Sequence, residues 1–222
     1  MFERSANILL VDDHDLFRSG LRMILESIPE TRSKVFEASS GESCIPMIRE
    51  QMIDVVFMDY SLPGLDGVST SLRLLQIDES LKIIILTGLQ DRPVSKVVLQ
   101  AGISGYMTKA SATEEIGQAI DCVMLGGTYL SREIASQMAL DSLNKGDVKH
   151  PLDDLSRREL QVALLLMSGH KPGAVGSMLF LSPKSVSTYK RRAFEKLKVD
   201  TLVELVEIGR DSGFLVNYQQ RE

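Results

Sequence analysis

Short apolar runs alternate with segments of helical periodicity over residues 7–125, and beyond them only the helical periodicity remains. Asn7-Ile8-Leu9-Leu10-Val11 closes on Asp12-Asp13 and reads as a first strand. Leu16, Phe17, Gly20, Leu21, Ile24 and Leu25 then recur at helical spacing. Val35 to Ala38 is a weak second strand, and Glu42 to Gln51 a helix with Pro46 expected in its first turn. Val55-Val56-Phe57-Met58 is continuously apolar and ends at Asp59, just before the turn signal Pro63-Gly64; such a run suits a strand buried on both faces of a parallel sheet. A helix follows from Leu65-Asp66-Gly67, with Val68, Leu72 and Leu75 on one face. Lys82 to Thr87 is a fourth strand, Pro93 to Ala101 a helix stopped by Gly102, and Ser104 to Met107 a short fifth strand leading to Thr108-Lys109. Thr113 to Leu125 is a helix with Glu114 and Glu115 in its first turn, where acids suit the helix dipole. Five strands alternating with five helices imply a doubly wound, five-stranded parallel sheet.

Gly126-Gly127 interrupts that alternation. Ser131 to Leu143 has the composition of a linker helix, and the polar, Gly- and Pro-containing stretch 144–151 that of an interdomain linker. The expected organisation is an α/β domain over 1–127, a linker over 128–151 and an all-α domain over 152–222. In the last segment, Ser156 followed by Glu159 is a capping box, and Leu160, Ala163, Leu164 and Met167 form an apolar face. After a break at Ser168-Gly169-His170, Lys171 to Leu179 is a short segment, and Ser182-Pro183 starts a helix that runs to Leu197. Val186, Tyr189, Ala193, Phe194 and Leu197 are its expected buried stripe, while Lys184, Ser187, Thr188, Lys190, Arg191 and Arg192 lie off that stripe. A short helix, a turn and a basic amphipathic helix form a helix-turn-helix signature, whose second helix enters the major groove. Lys and Arg side chains would contact phosphates and polar ones near the helix start would read base edges. Gly173 and Gly176 each cost the preceding segment up to about 1 kcal/mol against Ala, so a marginal supporting helix and weaker DNA binding are expected. Thr201 to Gly213 is a last helix, whose Leu202, Leu205, Val206 and Gly209 suit either self-association or core packing.

Composition narrows the class. Of 222 residues, 44% are hydrophobic, enough for proper cores, yet no apolar run reaches the roughly 20 residues of a membrane span. No secretory signal is visible, and Cys44 and Cys122 lie outside any metal spacing, so buried thiols in a reducing cytoplasm are expected. The charge of −5 is unevenly spread: 14 Lys and Arg face 21 Asp and Glu in residues 1–150, and 11 face 9 in residues 151–222. Two modules with different partners follow from that asymmetry.

The chemistry collects at strand ends. The first strand ends in Asp12-Asp13, the third in Asp59, the fourth in Thr87 and the fifth in Lys109. In a parallel sheet these ends share one rim, where ligands bind. Each residue alone has an ordinary explanation: a loop or helix-start carboxylate, a strand-end threonine, a surface lysine. Together, three carboxylates would repel unless a cation neutralised them, and hard oxygen ligands suit Mg²⁺. Lys109 and Thr87 would hold phosphoryl oxygens, and a carboxylate oxygen of Asp59 would be the nucleophile, forming an acyl phosphate.

At Val11-Asp12-Asp13-His14, Met58-Asp59-Tyr60, Leu62-Pro63-Gly64-Leu65-Asp66-Gly67, Thr87 and Gly105-Tyr106-Met107-Thr108-Lys109, the sequence resembles the receivers of two-component response regulators. Leu155-Ser156 through Glu159, Leu181-Ser182-Pro183-Lys184-Ser185-Val186-Ser187-Thr188-Tyr189 and Lys196-Leu197 resemble the LuxR-type DNA-binding domain, the combination found in the NarL/FixJ class and especially in GacA/UvrY-type regulators. The resemblance implies a flavodoxin-like receiver in a cytoplasmic transcription regulator, phosphorylated on Asp59 by a sensor histidine kinase. It implies Mg²⁺ held by Asp12, Asp13, Asp59 and the backbone carbonyl of Ser61, and Thr87 with Tyr106 as a switch pair beside Lys109. Ser187, Thr188 and Arg191 would face bases, and Lys184, Lys190 and Arg192 the backbone of double-stranded promoter DNA, with a homodimer forming on phosphorylation or DNA binding. Tyr60 and Ala110 depart from the usual receiver pattern. Two alternatives stay open: a Mg²⁺-dependent phosphatase with an aspartyl nucleophile, disfavoured by Ser61 where such enzymes carry a second acid, and a protein-interaction module with a vestigial helix-turn-helix.

Overall fold

The computed structural model describes residues 6–28, 34–88, 95–111, 113–145 and 151–211. The chain divides into two compact units, residues 1–89 with 103–135, and residues 90–102 with 136–222.

The first unit is built on a parallel sheet of six strands: β1 (Asn7–Val11), β2 (Lys34–Ala38), β3 (Val55–Asp59), β4 (Lys82–Thr87), β5 (Gly105–Thr108) and β6 (Tyr129–Leu130). Their order is β2-β1-β3-β4-β5-β6. Every residue of β3 is buried, as its unbroken apolar run requires. Around the sheet lie α1 (Asp15–Ser27), α2 (Gly41–Glu50), α3 (Gly67–Ile77) and α5 (Thr113–Met124); α4 (Ser95–Gln100) belongs to the second unit. Alternate strand residues Ile8, Leu10, Val55, Phe57, Ile84, Leu86 and Met107 pack with Leu21 and Leu25 of α1 and Ile116, Ala119, Ile120 and Val123 of α5. Leu9, Val11, Val56, Met58, Ile83, Ile85 and Tyr106, the opposite alternation, are also buried.

Two expectations for this unit need correction. The sheet has a sixth strand, because Tyr129 and Leu130 pair with Gly105 and Tyr106 straight after the Gly126-Gly127 break. Two residues are too short for a periodicity to register. Pro46 is the sixth residue of α2 and lies beyond its first turn. There its missing N–H leaves the Glu42 carbonyl without its intrahelical donor. The capping box between Ser40 and Ser43 secures the start of that helix. Of the two thiols, Cys44 is buried, and burial pushes it up to about 12, an inert thiol, whereas Cys122 is half-exposed. Pro93 and Val94, expected to open α4, lie outside the described residues.

In the second unit α6 (Arg132–Lys145) runs on from the first. It outlasts the predicted helix by two residues; positions 146–150 of the predicted linker lie outside the described residues, and a 3₁₀ turn spans Pro151–Asp154. Then come α7 (Arg157–Met167), α8 (Pro172–Leu179), α9 (Pro183–Leu197) and α10 (Leu202–Asp211). The predicted last two residues of α10, Ser212 and Gly213, lie outside the described residues. The expected single apolar face of α7 is instead a helix buried on all sides from Glu159 to Met167. It is central: α8, α9 and α10 all pack on it. Its start is fixed by the predicted capping box, in which the Ser156 amide donates to Glu159 at 2.8 Å, and Lys196 of α9 donates to the same carboxylate at 2.6 Å. The amide of Gln161, buried in α7, donates to the Ala101 carbonyl at 2.9 Å. On α10, Leu205 and Gly209 are buried while Leu202 and Val203 are exposed. Core packing therefore uses half of the predicted face.

The segment holding Gly173 and Gly176 forms a full eight-residue helix, α8, with Pro172 at its start. Gly176 has a reason to be glycine. A Cβ there would stand 3.0 Å from the Leu181 carbonyl oxygen, in the turn before α9, while the Leu181 amide donates to the Gly176 carbonyl at 2.9 Å. Nothing lies within 4 Å of a Cβ at Gly173. Gly173→Ala is therefore expected to stabilise the domain by about 0.5–1 kcal/mol and Gly176→Ala to destabilise it. Thermal unfolding of the two variants checks this; equal effects would contradict it.

Candidate functional site

The carboxyl ends of the strands converge as the parallel order requires. Asp59 pairs with Leu86, Thr87 with Thr108, and the Lys109 amide donates to the Thr87 carbonyl at 2.8 Å. Asp59 is 1% exposed and Asp12 2%. The Nζ of Lys109 lies 2.7 Å from Asp12 Oδ2 and 2.9 Å from Asp59 Oδ2. The ring of Phe17 supports that ammonium, its centroid 4.9 Å from Nζ. Asp13 is half-buried beside them, and the Ser61 amide donates to Asp59 Oδ1 at 3.2 Å. Ligand atoms of Asp12, Asp13, His14 and Asp59 lie within 4.8 Å of one another. Asp12, Asp13, Asp59, Ser61 and Lys109, picked from the sequence, are thus brought together.

Thr87 and Tyr106, the expected switch pair, lie next to them. Thr87, 1% exposed, ends β4, and its hydroxyl donates to the Gly88 carbonyl at 3.4 Å. Tyr106 is fully buried, with its ring edge-on to that of Tyr60 at 6.5 Å between centroids. Tyr60, the departure from the usual receiver pattern, thus packs against the predicted switch aromatic. The chain leaving Asp59 returns closely: a Cβ on Gly67 would stand 1.9 Å from the Asp59 carbonyl oxygen. Only glycine lets α3 begin there, and Asp66 caps it by accepting from the Ser69 amide at 2.9 Å.

Burial, followed by the Asp12 charge, pushes the Asp59 carboxyl above the usual carboxylate range, against the pull of Lys109 and the Ser61 amide. Burial works against the Lys109 charge, but the hydrogen bond to Asp12 and the charge of Asp59 outweigh it and hold that ammonium above the usual lysine value.

Sequence reasoning missed the supports of Asp12. Arg18, one turn into α1, donates to the Asp12 carbonyl at 2.7 Å and to Glu37 of β2 at 2.9 Å. Arg22 reaches the same Glu37 at 2.8 Å. The spacing of Arg18 and Arg22, four residues apart on the polar side of α1, was the available signal. In the sequence His14 stands out only as part of the Val11-Asp12-Asp13-His14 motif. Its ring Nδ1 lies 3.2 Å from Asp12 Oδ1 and 2.9 Å from Asp13 Oδ1.

The second constellation is α9. Its cap is Ser182, which accepts from the Ser185 amide at 3.1 Å, with Pro183 next. Val186, Ala193 and Leu197 are buried, while Tyr189 and Phe194 are half-buried, the stripe being narrower than its sequence pattern. Lys184, Ser187, Arg191 and Arg192 are exposed, and Thr188 and Lys190 half-buried. Lys184, Ser187, Thr188 and Arg191 share one face by their spacing. Ser187 and Thr188 donate back to the Pro183 and Lys184 carbonyls, both at 2.9 Å, and Arg191 pairs with Glu195 at 2.6 Å.

Residues 8–121 match the response regulator receiver domain, and residues 153–208 match the bacterial regulatory proteins of the luxR family. The response regulator GacA of Pseudomonas aeruginosa is 41% identical over 208 residues, covering 94% of this chain and 97% of its own length. The chain is a two-component response regulator of the LuxR type. The response regulator UvrY of Escherichia coli K12 is 40% identical over 203 residues, covering 91% of this response regulator and 93% of UvrY. Among solved structures, the response regulator ChrA of a heme-sensing two-component system superposes with a TM-score of 0.51 at 27% identity, covering 95% of this chain and 99% of ChrA. Response regulators are DNA-binding regulators rather than metabolic enzymes, which removes the phosphatase reading. A receiver implies a kinase partner, its acidic pocket is of the kind that typically binds Mg²⁺, and a LuxR-type domain binds DNA. Among the described residues, no helix of this regulator is long and apolar enough to cross a membrane.

The raised Asp59 value has a consequence for stability. A carboxyl that binds its proton more tightly folded than unfolded makes the fold lose stability as pH rises above the ordinary carboxylate value, and the loss is complete above the folded-state value. Without divalent cations, Asp59→Asn is therefore expected to raise Tm at pH 7. The gain should shrink as pH falls toward about 4. An unchanged or lower Tm at pH 7 would contradict the cost assigned to burying that carboxylate beside Asp12.

Proposed function

We propose that Asp59 is the phosphoacceptor of this regulator and that its phosphorylation by a sensor histidine kinase controls DNA binding by α9. The observation that carries the proposal is the shared ion pair of Lys109 with Asp12 and Asp59, both almost fully buried at the rim. A carboxylate oxygen of Asp59 attacks the phosphorus of the kinase phosphohistidine; the P–N bond breaks, a P–O bond forms, and the acyl phosphate stays on the receiver. Lys109 holds a developing phosphoryl charge, and the Thr87 hydroxyl binds a phosphoryl oxygen, which lets Tyr106 act as the paired switch. Three carboxylates face one ammonium, so the pocket fits a divalent cation. Asp12, Asp13, Asp59 and the Ser61 carbonyl would hold Mg²⁺, which neutralises charge between acceptor and phosphoryl oxygens when bound. The same groups support the slow hydrolysis that resets the receiver, so its chemistry is confined to its own aspartate.

On this reading residues 1–127 are the receiver, 128–151 a linker and 152–222 the DNA-binding domain, in a cytoplasmic protein. Ser187, Thr188 and Arg191 face bases, Lys184, Lys190 and Arg192 face phosphates, and a homodimer occupies repeated promoter sites on double-stranded DNA.

Mass spectrometry after treatment with a small phosphodonor and Mg²⁺ is expected to show one phosphoryl adduct on the wild type and none on Asp59→Asn. An adduct of equal yield on the Asn variant would overturn the assignment. For α9, Lys184→Ala is expected to weaken binding to all sequences and to reduce the slope of log affinity against log salt by about 1. Arg191→Ala should instead narrow the gap between promoter and random DNA. A wild type whose affinity for both DNAs is equal would leave the helix-turn-helix as a vestigial interaction module.

A further inference from the structure

His14 occupies the cap position of α1, yet its ring makes no capping hydrogen bond to that helix. The backbone amide donates to Asp12 Oδ1 at 2.8 Å, and the ring folds back so that Nδ1 stands between the Asp12 and Asp13 carboxylates, at 3.2 and 2.9 Å. The side chain is 55% exposed on its other sides, so apolar packing does not account for its orientation. Asp12 and Asp59, which complete the cluster, are almost fully buried. A pocket of carboxylates and a backbone carbonyl is an all-oxygen site, suited to hard cations. An imidazole nitrogen within 4.8 Å of three carboxylates changes the donor set. In one neutral tautomer Nδ1 presents a lone pair rather than a proton.

We propose that His14 is a further metal ligand of the receiver pocket and makes it prefer borderline-soft divalent ions such as Ni²⁺ and Co²⁺ over Mg²⁺. Imidazole stabilises those ions, and oxygen-only sites discriminate less in their favour. The inference rests on the reading of the acidic pocket as a divalent-cation site and adds one ligand to it. It makes the regulator responsive to which divalent ion is available, through a residue that takes no part in phosphoryl transfer.

Calorimetric titration of the full chain and of His14→Gln, with Mg²⁺ and Ni²⁺ separately, tests it. His14→Gln should lower Ni²⁺ affinity about tenfold or more, the scale on which the surroundings of a metal site act, and Mg²⁺ affinity by less than about twofold. Retained Mg²⁺ binding also reports that the variant is folded. His150 and His170 remain in the variant, so nickel held by them persists and is separated from the His14 site. Spin-echo spectra of the Mn²⁺-loaded protein should show nitrogen coupling in the wild type and none in His14→Gln. Mg²⁺ binding with identical Ni²⁺ affinities and no nitrogen coupling in the wild type would reduce His14 to a hydrogen-bond partner of the acids and overturn the proposal alone. Absence of stoichiometric Mg²⁺ and Mn²⁺ binding in both proteins would overturn the cation-site reading beneath it as well.

Discussion

The Lys109 ammonium stands 2.7 Å from Asp12 and 2.9 Å from Asp59, and the arrangement of the rim depends on that sharing. Two carboxylates, each almost fully buried, repel one another strongly when ionised in a poorly solvated site. One cation between them offsets part of the repulsion, while burial, followed by the Asp12 charge, still holds the Asp59 carboxyl above its usual range. The remainder is what makes the pocket receptive to a further cation. The sheet supplies the geometry at little extra cost. Asp12 follows β1, Asp59 ends β3 and Lys109 follows β5, and the parallel order brings all three to one edge. Arg18 and Glu37 then tie the end of β1 to α1 and β2.

The same contacts define what a phosphoryl group would disturb. It would bring a charge of about −1.5 to −2 into a pocket already short of positive charge. Lys109 has three donors, two of them facing carboxylates. Its amide is bonded to the Thr87 carbonyl, so the candidate switch hydroxyl and the lysine sit on hydrogen-bonded backbone. The preceding residue, Thr108, donates to Glu133 at 2.9 Å at the start of α6, and the Ser131 amide donates to the Tyr106 carbonyl at 3.1 Å. The short sixth strand therefore fastens the beginning of α6 to the strand that carries Tyr106 and leads to Lys109.

Much of this was legible in the sequence because strand ends in a parallel sheet are fixed by where apolar runs stop. Asp12, Asp59, Thr87 and Lys109 needed only that rule. The helix boundaries of α7 and α9 were legible from Ser156 with Glu159 and from Ser182-Pro183, since capping chemistry is local. What escaped was non-local. The capping box of Ser40 and Ser43 starts α2 at Gly41, one residue before the start read from periodicity, which leaves Pro46 beyond the first turn. The burial of α7 on every side depends on three later helices. Arg18 reads as an ordinary surface arginine until β2 places Glu37 opposite it. Gly176 looked like a defect in helix propensity because the chain that comes within 3.0 Å of it, at Leu181, is a turn whose path no periodicity encodes.

The charge distribution decides how the second unit meets nucleic acid. The chain carries a net −5, so the protein as a whole does not attract a polyanion. Screening at physiological salt reduces charge interactions over about 8 Å, however, and that makes the local field the relevant one. Residues 184–198 hold six basic side chains against Glu195 alone. That acid is not idle: it pairs with Arg191 at 2.6 Å, one turn along α9. The pair is exposed and contributes only about 0.3–0.5 kcal/mol to the helix. Its larger effect is orientational. If Arg191 faces bases as proposed, it exchanges a nearby carboxylate for a base edge, so a poorly matched site gives it less reason to leave. An intrahelical ion pair of this strength therefore weakens nonspecific attraction more than specific binding, since only a well-formed bidentate contact, worth about 1–3 kcal/mol, exceeds it comfortably.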